Sequence, residues 1–238
     1  MKDLLAENAI HKSYLNRLLI EIADHPLLSQ VLAFKGGTCA AMLGALDRFS
    51  VDLDFDLVGK ASDATLRREL RKITAILGLT IKKEFSNVLL FQIQYPRPTS
   101  SRSSLKLSIN TLKIKANEYQ IQFFPEIDRF LNAQTVETMF ANKLVAITAR
   151  WRLHHSLAGR DLYDVHHFFL SGYGYSPAVI KERTNMPPAK YLLSLHDFVK
   201  DHFTQQLIDE DLNSLLPALQ FRAVRKILLP ETLHFLKG

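Results

Sequence analysis

The sequence has a single cysteine, Cys39, so no internal disulfide is possible. That fits a reducing compartment. No apolar run approaches the roughly 20 residues that a membrane span needs. The opening stretch, MKDLLAENAIHKSYLNRLLIEIADH, mixes charge with helical periodicity. It lacks the continuous apolar centre of a secretion signal. A cytoplasmic chain with no membrane partner is therefore expected. No internal repeat and no low-complexity tract is present. Acidic residues are fewer than basic ones, 24 against 30, which leaves a formal net charge of +6 and a pI near 9.4. Such a balance is consistent with polyanionic partners, nucleic acid or nucleotides. The 238 residues are 47% hydrophobic and 23% charged. That is enough apolar material for a core, in one large domain or two small ones.

Residues 3–33 predict helix in two pieces, broken near Pro26, with Leu15, Leu18, Leu19 and Ile22 on one stripe. FKGGTCAAMLGAL reads as a diglycine turn, with Thr38 capping a short helix over 39–46. Residues 50–58 read as a strand. SDATLRRELRKITAIL is an amphipathic helix capped by Ser62 or Asp63. TIKKEF, NVLLFQIQY, LKLSINTLKI and YQIQFFP read as strands, with the loop YPRPTSSRSS among them. Strand signals stop near residue 134. TVETMFANKLVAITARW, capped by Thr135, and GRDLYDVHHFFL are helices. The rest is mostly helical, interrupted at GYGYSP and NMPP. The expected class is α+β, with a mixed half over 1–134 and a helical half over 135–238.

The stretch RFSVDLDFDL, residues 48–57, alternates apolar and acidic side chains. Successive strand residues point to opposite faces, so Ser50, Asp52, Asp54 and Asp56 share one face. Like charges about 7 Å apart repel, and a bound cation removes that cost. Mg²⁺ (or Mn²⁺) suits carboxylate oxygens and keeps positions for water and substrate phosphates. Upstream, Gly36 and Gly37 let a backbone approach a phosphate closely, and Thr38 adds a hydroxyl donor. Taken singly, the glycines are a turn and the acids a solvated edge. In this order and some fifteen residues apart, they suit triphosphate chemistry.

These residues resemble the nucleotidyltransferase superfamily, with its glycine turn, Gly-Ser/Thr and then Asp-x-Asp. More closely, FKGGTCAAMLGALDRFSVDLDFDL is similar to the AbiEii toxin family of bacterial nucleotidyltransferases. The matching positions are Lys35, Gly36, Gly37 and Thr38, then Arg48 to Ser50, then Asp52 and Asp54. A second block, ETMFANKLVAITAR and GRDLYDV, matches at Glu137, Lys143, Ala146, Arg150, Arg160, Asp161 and Asp164. The resemblance implies a nucleotidyltransferase-like mixed sheet flanked by helices, with the helical domain completing the active-site cleft. It implies transfer of a nucleoside monophosphate from an NTP, with pyrophosphate released. The acceptor would be RNA, with the tRNA 3′ end foremost, and the toxin would be paired with an antitoxin. Asp52 and Asp54 would hold the metal, with Lys35, Gly36, Gly37, Thr38, Arg48 and Ser50 at the nucleotide. Lys143, Asp161 and Asp164 would complete the catalytic set. Lys143 lies on an apolar helix stripe, where a lysine either snorkels or neutralises phosphate. Of Asp161 and Asp164, one would orient Lys143 or the base and the other hold the fold.

The superfamily's third carboxylate has no counterpart here. LKLSINTL should face Lys106, Ser108 and Asn110 towards the acids, with Ser108 where Asp or Glu belongs. Asp56 could replace it only if the strand end bends inwards. This departure leaves open a catalytically impaired nucleotide-binding protein; separately, the same fold could serve a small-molecule nucleotidyltransferase. Arg97, Arg102, Lys106, Lys113 and Lys115 could grip an RNA backbone or decorate a solvated hairpin. His154, His155, His166 and His167 lack a metal-ligand pattern and read as surface or core residues. Trp151, Phe168 and Phe169 read as core.

Overall fold

The computed structural model describes residues 2–96 and 103–237, with side chains from Asn8 onwards. Two compact units divide the chain. One comprises Met1–Gly44, Phe49–Lys113 and Tyr119–Gln134; the other comprises Ala45–Arg48, Ile114–Glu118 and Thr135–Gly238.

The first unit contains helices α1 (Lys2–Asp24), α2 (Leu28–Val31), α3 (Gly36–Met42) and α4 (Asp63–Ile76). Its strands are β1 (Leu32–Lys35), β2 (Asp52–Leu57), β3 (Thr80–Glu84), β4 (Leu89–Gln94), β5 (Ser104–Asn110), β6 (Tyr119–Phe124) and β7 (Arg129–Gln134). They form one mixed sheet in the order β3-β4-β5-β2-β1-β7-β6. The β2/β5 and β1/β7 pairs are parallel, and the others are antiparallel. Leu15, Leu18, Leu19 and Ile22 on α1 are buried, as their helical spacing requires. Under the sheet, Phe34 packs against Phe55 and Phe124, with ring centroids 5.4 and 5.6 Å apart. Ser62 caps α4 by accepting from Thr65 N–H, as its place before the amphipathic run predicts.

Two local expectations are corrected, and one strand is added that the sequence reading leaves unassigned. The stretch Leu32–Lys35 is a strand rather than a helix end. Four residues, three of them buried, show no alternation to read. RFLNAQ forms β7, although Phe130 on its polar face hides the period-2 pattern. Helix α3 begins at Gly36, so Thr38 lies inside it and caps nothing.

The second unit is helical: α5 (Val136–His154), α6 (Gly159–Leu170), α7 (Pro177–Thr184), α8 (Pro188–His202), α9 (Gln205–Leu212), α10 (Ala218–Val224) and α11 (Leu228–Phe235). Thr135 caps α5 through Thr138 N–H. The core brings Phe140 onto Phe168 at 5.0 Å and onto Phe169 at 4.7 Å. Trp151 is only half-buried, beside His155, Phe198 and His202. Its large ring sits near the end of α5 rather than in the core.

Candidate active site

The diglycine turn links β1 to α3, and the acids lie on the next strand. Lys35 and Asp54 are direct partners in the antiparallel β1/β2 ladder. Gly36 has φ +80°, and a Cβ there would lie 2.7 Å from Asp54 Oδ2. Glycine is therefore required twice, for the left-handed backbone and for room beside the carboxylate. The Thr38 hydroxyl donates to the Asp52 carbonyl oxygen at 2.5 Å and lies 2.9 Å from Ser50 Oγ. It braces the turn against the start of β2.

The core face of β2 carries Leu53 and Phe55, both fully buried. Asp52, Asp54 and Asp56 share the other face. In the parallel β2/β5 ladder, Asp54 is level with Ser108. The Ser108 hydroxyl donates to Asp54 Oδ1 at 2.5 Å, and Lys106 N–H donates to Asp52 Oδ1 at 3.3 Å. Asp56 is different. It is buried and accepts from Lys35 Nζ (2.6 Å), Gln134 Nε2 (2.6 Å), Tyr119 Oη (2.9 Å) and Asn110 Nδ2 (3.1 Å). These donors commit Asp56 and Lys35 to joining β1, β2, β5, β6 and β7. Asp56 is held in this polar knot rather than bent in as a third acid. The knot was not legible in advance, because Gln134 and Tyr119 lie 78 and 63 residues from Asp56.

Asp52 and Asp54 suit a divalent ion by donor type. Mg²⁺ takes one or two carboxylates and fills its remaining positions with water and substrate phosphate. Among the described residues, no group of three His, Cys, Asp or Glu side chains is arranged to hold a metal.

The remaining expected residues belong to the helical unit. Asp164 on α6 is fully buried and takes a two-pronged contact from Arg48, with Nε at 2.5 Å and Nη2 at 2.7 Å. Lys143 Nζ on α5 lies 2.8 Å from Asp164 and 3.2 Å from Asp161. Arg150 Nε reaches Asp161 at 3.0 Å. Burial pushes the Asp164 carboxyl up, but Arg48 and Lys143 outweigh it and hold it down at about 2. Burial likewise opposes the charged form of Lys143, yet Asp164 and Asp161 raise its pKa. Asp161 is lowered, with burial overcome by Lys143 and Arg150. Arg48, Lys143, Asp161 and Asp164 are therefore ionised near neutral pH. Arg48, expected at the nucleotide, places its guanidinium Nε and Nη2 on Asp164. Asp164 is the acid that ties the loop before β2 to α5 and α6, while Asp161 joins Lys143 to Arg150.

Arg97 and Arg102 lie outside the described residues; Lys106, Lys113 and Lys115 are exposed. His166 is buried, with Nε2 2.7 Å from Glu231, and His167 lies 3.1 Å from Asp47.

A mixed sheet with a glycine turn pressed against an Asp-x-Asp strand is the fold of nucleotidyltransferases, and solved structures share it. A Helicobacter pylori protein assigned as a nucleotidyltransferase matches with TM-score 0.58 and 22% identity, over 97% of this chain and 93% of that one. JHP933 from Helicobacter pylori matches at 0.53 and 21%, over 97% and 89%. The nucleotidyltransferase toxin MenT4 of Mycobacterium tuberculosis matches at 0.54 and 21%, over 97% and 84%. No match is found among curated proteins. The family of AbiEii nucleotidyl transferase toxins, of type IV toxin–antitoxin systems, matches residues 17–232, and the chain belongs to that family.

Proposed function

We propose that the protein transfers a nucleoside monophosphate from an NTP to an RNA hydroxyl, foremost at the 3′ end of tRNA. The acceptor oxygen bonds to the α-phosphorus, the bond from that phosphorus to the bridging oxygen breaks, and pyrophosphate leaves. The hydroxyl proton passes to solvent. The observation that carries this reading is the contact of the glycine turn with Asp54: a Cβ at Gly36 would lie 2.7 Å from the carboxylate. Main-chain N–H groups able to receive phosphate thus adjoin the acids able to hold Mg²⁺ or Mn²⁺. Asp52 and Asp54 would hold that ion, which would neutralise phosphate charge and lower the pKa of the attacking hydroxyl. Gly37 and Ser50 lie beside this turn and are assigned to the phosphates, with Thr38 bracing the strand that carries them. Lys143 has an ammonium with three donors, and the proposal assigns it to charge stabilisation. A type IV antitoxin is the expected partner in the cell.

Labelled NTPs incubated with the protein, Mg²⁺ and total tRNA provide the test. Incorporation is expected with the wild type and is lost in the Asp52→Ala/Asp54→Ala variant. Incorporation that persists in that variant removes the acids from the chemistry.

A second reading has its own observation. Ser108, level with Asp54, supplies a hydroxyl where a third carboxylate would stand. A protein that binds Mg²⁺-NTP with little turnover fits that arrangement. Thermal stabilisation by Mg²⁺-NTP without incorporation supports it.

A further inference from the structure

The two edges of the seven-stranded sheet are built differently. Edge strand β3 carries Lys82, Lys83 and Glu84, and its pairing with β4 shifts register between Ile81 and Lys83. Charge and irregularity are the usual protection of a sheet edge. The opposite edge, β6, reads YQIQFF, with no charge and no proline. Its register with β7 is unbroken from Tyr119↔Gln134 to Phe124↔Arg129. Ile121 is 75% exposed, Phe123 44% and, on β7, Phe130 68%. The rings of Phe123 and Phe130 meet at 5.0 Å. These three side chains and Tyr119 occupy one face, which has no cation on β6 or β7.

The main chain of β6 is also oriented for a partner. Thr135 N–H donates to Glu118 O at 3.1 Å, which sets the phase of the β6/β7 ladder. Hydrogen-bonded and non-bonded positions alternate in an antiparallel pair. Gln120, Gln122 and Phe124 therefore turn their main-chain groups towards β7, while Tyr119, Ile121 and Phe123 turn theirs outwards.

We propose that β6 pairs antiparallel with β6 of a second copy of this chain, about a two-fold axis at Ile121. Ile121 then faces its own counterpart, and Tyr119 faces Phe123 on either side. Gln120 faces Gln122 on the reverse of the sheet. The pairing forms up to about six main-chain hydrogen bonds and brings no like charges together. A shift of two residues towards the C-terminus would set Tyr119 against Pro125, which has no N–H to give. A second copy is the occupant because the strand is its own complement, apolar against apolar and amide against amide. On β6 and β7 this face offers a polyanion no cation. The inference is independent of the catalytic reading.

Sedimentation velocity and light scattering on the full chain at tens of micromolar provide the test. The wild type is expected at twice its 27.2 kDa mass. Ile121→Lys and Ile121→Glu should each be monomeric and, when mixed, should recover the dimer, because position 121 meets itself. Ile121→Cys should cross-link to its own copy under mild oxidation, since facing residues of such a pair suit a disulfide. Circular dichroism confirms that the variants fold. A monomeric wild type, a dimer indifferent to Ile121→Lys, or the absence of the Ile121→Cys cross-link overturns the proposal.

Discussion

At the scale of the residue, the acids of β2 divide by what surrounds them. Asp56 is saturated by amide, phenol and ammonium donors, whereas Asp54 meets a serine and the glycine turn. Gly36→Ala would place a methyl group 2.7 Å from Asp54 Oδ2 at a φ of +80°. We expect nucleotide incorporation to fall at least tenfold, with a stability cost of about 1–3 kcal/mol. Kinetics and urea unfolding on the same variant read both. Ser108→Asp supplies the absent acid. If the serine limits turnover, kcat rises with little change in KM. An unchanged or lower kcat would reject Ser108 as the limiting position.

The ion cluster gives a prediction in pH. Asp164 titrates at about 2 in the folded protein and near 3.9 when unfolded. A depressed carboxyl contributes stability that is full above its unfolded pKa and is lost as pH falls towards the folded one. The contribution, on the order of 2 kcal/mol, should therefore disappear between about pH 4 and pH 2. Asp164→Asn leaves the buried Arg48 without its counter-charge and should cost about 3–5 kcal/mol at neutral pH. Its stability should also vary less with pH in the acid range. Urea unfolding from pH 7 to pH 2.5 measures both; an unchanged acid limb would remove Asp164 as its source.

At the scale of the element, helix starts were the most readable feature. Ser62 and Thr135 each precede an apolar-periodic run and each accepts from the residue three ahead. Both act through local geometry that a sequence contains. Thr135→Ala should lower stability by about 1 kcal/mol, seen as a lower urea midpoint with an unchanged m-value. Helix α6 begins and ends where GRDLYDVHHFFL does. Strands β1 and β7 were not readable. In β1, three of four residues are buried, so there is no alternation; in β7, Phe130 is exposed on the face that also carries Asn132 and Gln134. The placing of Ser108 beside Asp54 was readable, because LKLSINTL alternates cleanly and a parallel neighbour keeps the same face.

At the scale of the whole molecule, 30 basic residues against 24 acidic ones give the chain its charge of +6. If RNA is the acceptor, counterion release makes its binding strongly salt-dependent. Dissociation constants for tRNA should rise steeply between about 50 and 200 mM salt, measured by fluorescence anisotropy. A binding constant insensitive to salt would favour a small acceptor. Among the described residues no helix is long and apolar enough to cross a membrane, in keeping with the short apolar runs of the sequence.

The sequence by itself determined the glycine turn, the alternation that puts three carboxylates on one strand face, and the helix caps at Ser62 and Thr135. Each depends on residues a few positions apart, where covalent geometry fixes the outcome. The tertiary structure alone decided which acid is committed and to what. Arg48 and Asp164 are 116 residues apart, and Asp56 draws its donors from three other strands and the turn-side lysine of β1. A buried charge accepts whichever partners folding brings within reach, and no local pattern encodes that choice.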